Sequence, residues 1–169
     1  MDENAPRPFH EVEIRGLILD PVSNSPIVVL KKAGESLFLP IWIGVFEANA
    51  IALRLEGVQT PRPMTHDLLR TLIEALGGTV TAVEVNSLIE NTFHATIHLV
   101  TSAGAEVRVD ARPSDAIALA LRCDAPIRVA ESVFRDAHAL DMRDGEDQER
   151  QLQEWLESLT PEQLGKYKM

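Results

Sequence analysis

The segment DARPSD, which runs from Asp110 to Asp115, contains the residue types that bind a phosphodiester and a divalent cation. Pro113 indicates that a helix begins here, because proline is favoured in the first helical turn. A helix N-terminus binds phosphate, and Arg112 would grip the same group bidentately. Asp110 and Asp115 can hold Mg²⁺ or Mn²⁺ and take part in catalysis, while Ser114 can bind the phosphate. The alternative is structural: Ser114 or Asp115 caps the helix and the arginine pairs with Asp110.

A second predicted helix start supplies another carboxylate. Glu47 and Asn49 follow the strand-like residues IWIG in the segment IWIGVFEANAIALRL, residues 41–55. If the two helix starts lie close together, Glu47 becomes a further ligand for the cation. Its structural alternative is to complement the partial positive charge of its own helix.

The third candidate is the segment RPMTHD, residues 62–67. A histidine at a helix N-terminus is biased toward its neutral form, so His66 suits the role of a general base near neutral pH. Arg62, between two prolines, would bind phosphate. The alternative is an exposed His66 beside an N-cap at Thr65, with Arg62 in a surface ion pair.

These candidates are positioned by an internal repeat. Residues 41–55 are echoed by VRVDARPSDAIALAL at residues 107–121, with Ala-Ile-Ala-Leu repeated letter for letter. A long period that occurs twice indicates one domain with internal pseudo-symmetry, since a solenoid needs about three or more units. Each half, about 10–57 and 79–122, is therefore predicted to contain three strands and one helix.

Apolar periodicity and turn residues predict the individual elements. Strands are expected at about 10–19, 27–31, 36–43, 79–88, 92–101, 105–110 and 127–129, and helices at 46–56, 66–76, 113–122, 130–139, 147–158 and after Thr160. Thr65 is the predicted N-cap of the helix between the halves. The predicted fold is α+β, with mixed or antiparallel sheets from two β-β-β-α repeats, an extra helix between the halves and a helical C-terminal tail.

Length and composition suit one globular domain with a tail: the chain has 169 residues and is 45% hydrophobic. The predicted organisation is a flexible N-terminus at 1–9, a domain at 10–140 and an acidic helical tail at 141–169. The sequence contains no run of about 18 apolar residues, so no membrane span is predicted, and no secretory signal is recognisable. The lone Cys123 cannot form an intrachain disulfide, which favours a cytoplasmic location.

The formal net charge of −10 restricts how this chain can meet a nucleic acid. Proteins that coat nucleic acids need a positive field, because phosphate neutralisation supplies most of their non-specific affinity. Any contact with DNA or RNA must therefore be local, through a few arginines, a helix N-terminus or a bound cation.

Four segments in this order carry a resemblance: ILDPVSNSPIVVL (18–30), LPIWIGVFEANAIAL (39–53), TPRPMTHDLL (60–69) and VDARPSDAIALALR (109–122). Together they closely resemble the bacterial and plant bifunctional nuclease family, over about residues 10–140. The resemblance implies a compact α+β domain, usually oligomeric, with nuclease activity on both DNA and RNA.

The sequence thus predicts a nuclease that hydrolyses phosphodiester bonds with the help of Mg²⁺ or Mn²⁺. The predicted roles are catalysis by His66, Asp110 and Asp115, phosphate binding by Arg62, Arg112 and Ser114, and metal binding by Asp110, Asp115 and Glu47. The expected partners are DNA or RNA as substrate, a second copy of the chain in a homo-oligomer, with a dimer favoured, and a protein that binds the tail. The alternative is a non-catalytic regulatory or assembly module, in which the same residues form caps and ion pairs at a subunit interface.

Overall fold

The computed structural model describes residues 8–137, 139–141 and 148–158, without the side chains of residues 148, 149, 153 and 156. Most of the N-terminal segment predicted to be flexible, the linker before the tail helix and the helix predicted after Thr160 therefore lie outside the described residues. Within the described ranges, no helix is long and apolar enough to cross a membrane.

The strands and helices follow one another in the predicted order, with the short strand at Leu140–Asp141 as an addition. The strands are β1 Phe9–Leu19, β2 Pro26–Lys32, β3 Leu37–Trp42, β4 Thr79–Ile89, β5 Thr92–Val100, β6 Glu106–Ala111, β7 Ile127–Ala130 and β8 Leu140–Asp141. The helices are α1 Val45–Leu55, α2 Thr65–Ala75, α3 Pro113–Cys123, α4 Glu131–Asp136 and α5 Gln148–Ser158.

All eight strands form one mixed sheet in the order β6-β5-β4-β7-β1-β2-β3-β8. The pairing is antiparallel except between β4 and β7, which run parallel. Two three-stranded units, β1-β2-β3 and β4-β5-β6, thus flank the short strand β7, and each is followed in the chain by a helix. The predicted α+β class and mixed pairing are confirmed.

The main core lies on the face of the sheet that carries α1 and α3. Strand residues that alternate along the chain, such as Val28 and Leu30, pack there against Ile51 of α1 and Ile117 of α3. The small residues of α3 let it pack closely, and its segment from Ala116 to Ala120 is almost completely buried. On the opposite face of the sheet, α5 covers only the first half of the repeat, where Leu152 joins the second apolar cluster.

Two helix ends and one strand differ from the sequence prediction. Helix α2 begins at Thr65 with Met64 in the N-cap position, so Thr65 is not the cap. The capping group is instead Asp67, whose Oδ2 accepts the N–H of Met64 at 2.9 Å. Helix α4 ends at Asp136, three residues before the predicted end. Strand β8 has only two residues, too few to show a periodic pattern, and was not predicted.

Candidate functional site

The N-termini of three helices meet at one place. Glu47 lies in the first turn of α1 and Asp115 in the first turn of α3, whereas His66 is the second residue of α2. Arg112 occupies the N-cap position of α3. Each helix start contributes a partial positive charge from its free N–H groups, so the meeting point is favourable for an anion.

The four side chains form a continuous hydrogen-bonded network, here called the Glu47–His66 network. Arg112 donates from Nη2 to Oε1 of Glu47 and from Nε to Oδ2 of Asp115, each at 2.7 Å. The other oxygen of Asp115, Oδ1, lies 2.9 Å from Nε2 of His66. One guanidinium and one imidazole therefore join the three helices through two carboxylates, which realises the predicted approach of the two repeat-helix starts.

The charges in the network stabilise one another. Burial alone would raise the pKa of Asp115, but the hydrogen bonds from Arg112 and His66 outweigh it and lower that pKa below its ordinary value. Hydrogen bonds to Asp115 and Glu47 raise the pKa of Arg112. Since an ionised carboxylate only accepts hydrogen bonds, Nε2 of His66 carries the donated proton and Nδ1 is the nitrogen that can accept one.

Two cavities open on either side of the network, and His66, Arg112 and Asp115 line both. The larger, of about 640 Å³, lies between α2 and the strands β5 and β6 and is mostly apolar. The smaller, of about 290 Å³, also contacts Phe46, which is 87% exposed beside Glu47. The sequence analysis missed Phe46, although an aromatic residue directly before a polar helix start was a usable signal.

Arg62 lies apart from the network, against a third cavity of about 320 Å³. Arg54 and Arg122 line the same cavity, which makes it cationic. The phosphate-binding role of Arg62 stays a prediction. Within the described residues, no direct contact joins Arg62 to the network.

Arg122 holds the helices in place, a role that the sequence analysis missed. It is buried, and it donates to Asp67 Oδ1 of α2 at 2.5 Å, to the carbonyl of Ala50 in α1 and to the carbonyl of Ala118. Burial would raise the pKa of Asp67, but the Met64 N–H and Arg122 lower it overall. Helix α2 is thereby fixed with His66 against Asp115.

Asp110 and Ser114 do not join the network. Asp110 is exposed on β6 and lines the 640 Å³ cavity, and its carboxylate forms no hydrogen bond or ion pair with another described residue. Arg112 pairs with Asp115 and Glu47 rather than with Asp110, so the pairing considered as the structural alternative is absent. Ser114 is completely buried, and its Oγ has no partner among the described residues, so in this structure a phosphate has no access to it.

The predicted metal ligands are not gathered into one group. Among the described residues, no three or more His, Cys, Asp or Glu side chains are placed to hold a metal ion. The guanidinium of Arg112 instead bridges the carboxylates of Glu47 and Asp115. The metal therefore stays a prediction, and it requires Arg112 to leave this position.

Comparisons with known proteins give this site a family context. Residues 28–141, which include the whole network, match the model of the bifunctional nuclease domain. An uncharacterized protein of Mycobacterium tuberculosis is 40% identical over 161 residues, which cover 90% of this chain and 96% of that protein.

Plant relatives match a shorter part. Bifunctional nuclease 1 of Arabidopsis thaliana is 33% identical over 107 residues, 62% of this chain and 33% of that protein. Bifunctional nuclease 1 of Oryza sativa subsp. japonica is 27% identical over 112 residues, 65% of this chain and 34% of that protein. The matched part of the chain thus spans about a third of these plant proteins. From its match to the domain model over residues 28–141, this chain belongs to the bifunctional nuclease domain family.

Proposed function

We propose that this protein hydrolyses phosphodiester bonds in DNA or RNA at the Glu47–His66 network. The observation that carries the proposal is the meeting of a histidine, an arginine and two carboxylates at three helix N-termini, beside open cavities. Membership of a family that includes plant proteins named bifunctional nucleases supports the same chemistry.

The substrate phosphate binds first to Arg112 and the helix starts. The side chain of Arg112 is 49% exposed, so it can turn from the carboxylates toward an entering phosphate. A bidentate guanidinium contact and three helix N-termini would bind the phosphate locally despite the net charge of −10, with a bound cation balancing the carboxylates of Glu47 and Asp115.

His66 activates the attacking water. Its Nε2 is held by Asp115, and this bond fixes the ring and leaves Nδ1 to accept a proton from water. The carboxylate then stabilises the imidazolium that forms, as in other histidine–carboxylate pairs. The proton can afterwards pass to the leaving oxygen.

In our proposal, Glu47 and Asp115 would hold Mg²⁺ or Mn²⁺. When Arg112 turns to the phosphate, Glu47 and Asp115 lose their counter-ion and become available as ligands, and magnesium sites often combine one or two carboxylates with substrate phosphate. The cation would supply Lewis-acid stabilisation of the phosphoryl oxygens. Asp110, exposed at the 640 Å³ cavity that Asp115 also lines, remains a proposed additional catalytic acid and metal ligand.

Phe46 and Arg62 extend the site along the polynucleotide. An exposed aromatic ring next to a phosphate site can stack on a base, and each such contact contributes about 1–3 kcal/mol to binding single strands. Arg62 and Arg54 line the cavity beyond Met64, where a neighbouring phosphate can be neutralised.

The test is cleavage of a labelled single-stranded DNA and of the matching RNA, each with Mg²⁺, Mn²⁺ or EDTA. We expect His66→Ala and His66→Gln to lower kcat by about 10²–10⁴-fold, the usual contribution of a general base. His94→Ala is the matched control, since His94 is a partly exposed histidine of β5 that lines none of the described cavities. Equal cleavage by wild type and both His66 variants would rule out this site.

A second candidate is the non-catalytic assembly module, favoured by the closure of the network on itself in ion pairs. In that case a protein partner would bind the tail. Asp110→Asn and His66→Ala would then change subunit assembly or stability, while neither DNA nor RNA is cleaved by the wild type under any of the metal conditions.

A further inference from the structure

Strand β6 forms an open edge of the sheet, with apolar side chains exposed beside it. Val107 and Val109 are 39% and 40% exposed. They lie opposite Leu99 and Ile97 of β5, on the face of the sheet that carries α2. On α2, Leu68 and Leu72 are also about half exposed. An edge strand and a helix thus present one apolar band, and such bands mark interaction sites.

The matching positions of the first half are buried. Ile41 and Ile43 correspond to Val107 and Val109 in the internal repeat, and they are 0% and 5% exposed because they belong to the main core. The outer edge of β3 is paired with β8 at Leu37 and Phe38. The described part of the chain contains no strand that pairs with the outer side of β6.

We propose that two copies of this chain pair through β6, antiparallel and centred on Val109. In this register Val109 faces the partner's Val109, and Val107 faces the partner's Ala111. Arg108 then lies opposite the partner's Asp110, and the symmetry of the pair repeats that contact. Directly opposite residues of antiparallel strands share one face of the sheet, so each face stays continuous.

The charges on β6 favour a second copy of this chain as the partner of its outer edge. Arg108 and Asp110 are exposed, and neither forms an ion pair with another described residue. Moving the centre to Arg108 would oppose two arginines and would set Glu106 against the partner's Asp110, which is unfavourable. Centring on Val107 would align three residues of β6 with three of the partner, instead of five with five. The register centred on Val109 therefore avoids like-charge contacts and also aligns five residues of β6 from each copy.

This pairing places the apolar groove between two subunits. The groove of about 640 Å³ is lined by leucines of α2 and by Val109, with His66 and Asp110 at its polar end. A second copy on β6 would cover the leucines and border the polar end. The pairing does not depend on the proposed catalytic role of His66, because it rests on the outer edge of β6.

The test is sedimentation of the full chain over a range of concentrations, for Arg108→Glu, Asp110→Arg and the double swap. We expect a wild-type dimer, a dissociation constant raised about tenfold or more by either single reversal, and recovery to within about threefold in the swap. Arg15→Glu is the control, because Arg15 is an exposed arginine of the interior strand β1. A wild type that stays monomeric at about 100 μM would overturn the proposal. So would single reversals without effect, or a swap that does not recover.

Discussion

The two halves of the repeat share a chain path but differ at their edges and outer faces. In the first half, β8 pairs with the first two residues of β3, and the apolar outer face around Trp42 packs against Leu152 of α5. In the second half, β6 has no outer neighbour within the described ranges, and its outer face is polar, with His98 bonded to Glu84 at 2.7 Å. The first half is covered within the described chain, whereas the second half leaves an open strand edge and an exposed apolar band.

The helix starts of the two halves also differ in the number of contacts that their carboxylates make. Glu47 of the first half contacts Arg112 alone within the network, whereas Asp115 of the second half contacts both Arg112 and His66. Duplication therefore supplied two similar helix ends, and only one of them holds the histidine. The predictions that follow compare matched positions in the two halves.

The largest expected effect separates the two carboxylates. Asp115→Asn should lower the kcat for oligonucleotide cleavage by about 10²–10⁴-fold, because the amide no longer orients and stabilises His66. Glu47→Gln should cost about tenfold or less, because the amide oxygen can still accept the hydrogen bond from Arg112 and only the negative charge is lost. Steady-state kinetics on both variants measures the ratio. Equal losses would show that the histidine contact has no catalytic importance.

The next effect compares the buried and exposed repeat positions. Ile41→Ala should lower the free energy of unfolding by about 2–5 kcal/mol, because the side chain is fully buried. Val107→Ala should cost about 0.5 kcal/mol or less at dilute protein concentration, as expected for surface positions. Urea unfolding at low and high protein concentration measures both. A large Val107 penalty in the dilute protein would contradict an unpartnered β6.

A pH effect distinguishes the two hairpin turns. Burial would raise the pKa of Asp20, but hydrogen bonds from Trp42 Nε1, the Val22 N–H and Ser23 lower it overall. A lowered folded-state pKa stabilises the fold above the unfolded value of about 3.9, and this stabilisation is lost as the pH falls through the folded-state pKa. Asp20→Asn should thus cost about 1–3 kcal/mol at pH 7 and less below about pH 4.

Urea midpoints at several pH values measure this difference. Glu90→Gln at the corresponding turn of the second half is the control, since Glu90 is exposed and should show little change. An Asp20→Asn penalty that is equal at pH 7 and pH 3 would contradict the role of the ionised carboxylate.

The smallest effect concerns left-handed backbone at the same turns. Asn24 has φ +56° and Glu90 has φ +48°, and asparagine tolerates this conformation better than glutamate. Glu90→Asn should therefore stabilise the protein by roughly 0.5 kcal/mol, whereas Asn24→Ala should destabilise it by a similar amount. Thermal unfolding of both variants tests the pair, and a destabilised Glu90→Asn protein would contradict this account.

Local chemistry made most elements predictable. The alternation of Phe93, Ala95 and Ile97 marked β5, and Pro113 marked the start of α3, because these signals act within a few residues. Strand β8 escaped prediction because its pairing with Leu37 and Phe38 joins residues about a hundred positions apart. The cap at Asp67 was also missed, because the group that accepts the Met64 N–H is a carboxylate within the first turn of the helix and not the side chain of Thr65.

The contacts of the site also divide into local ones, which the sequence indicates, and ones that depend on tertiary packing. The Arg112–Asp115 contact spans three residues and follows from the local segment, whereas the contacts of Asp115 with His66 and of Arg112 with Glu47 depend on how three helices pack. The repeat suggested that the two helix starts approach each other. The sequence did not indicate the burial of Ser114 or the separation of Arg62 from the network, because both depend on side-chain direction in the assembled core.

The two-residue strand β8 has a consequence for the size of any assembly. A sheet with both margins free can add copies at either end and grow into a fibre. Here the edge opposite β6 is the two-residue strand β8, which pairs with Leu37 and Phe38 and offers few backbone groups to another copy. If two copies pair through β6 as proposed, association would therefore stop at two copies, and the very short edge strand β8 would limit polymerisation.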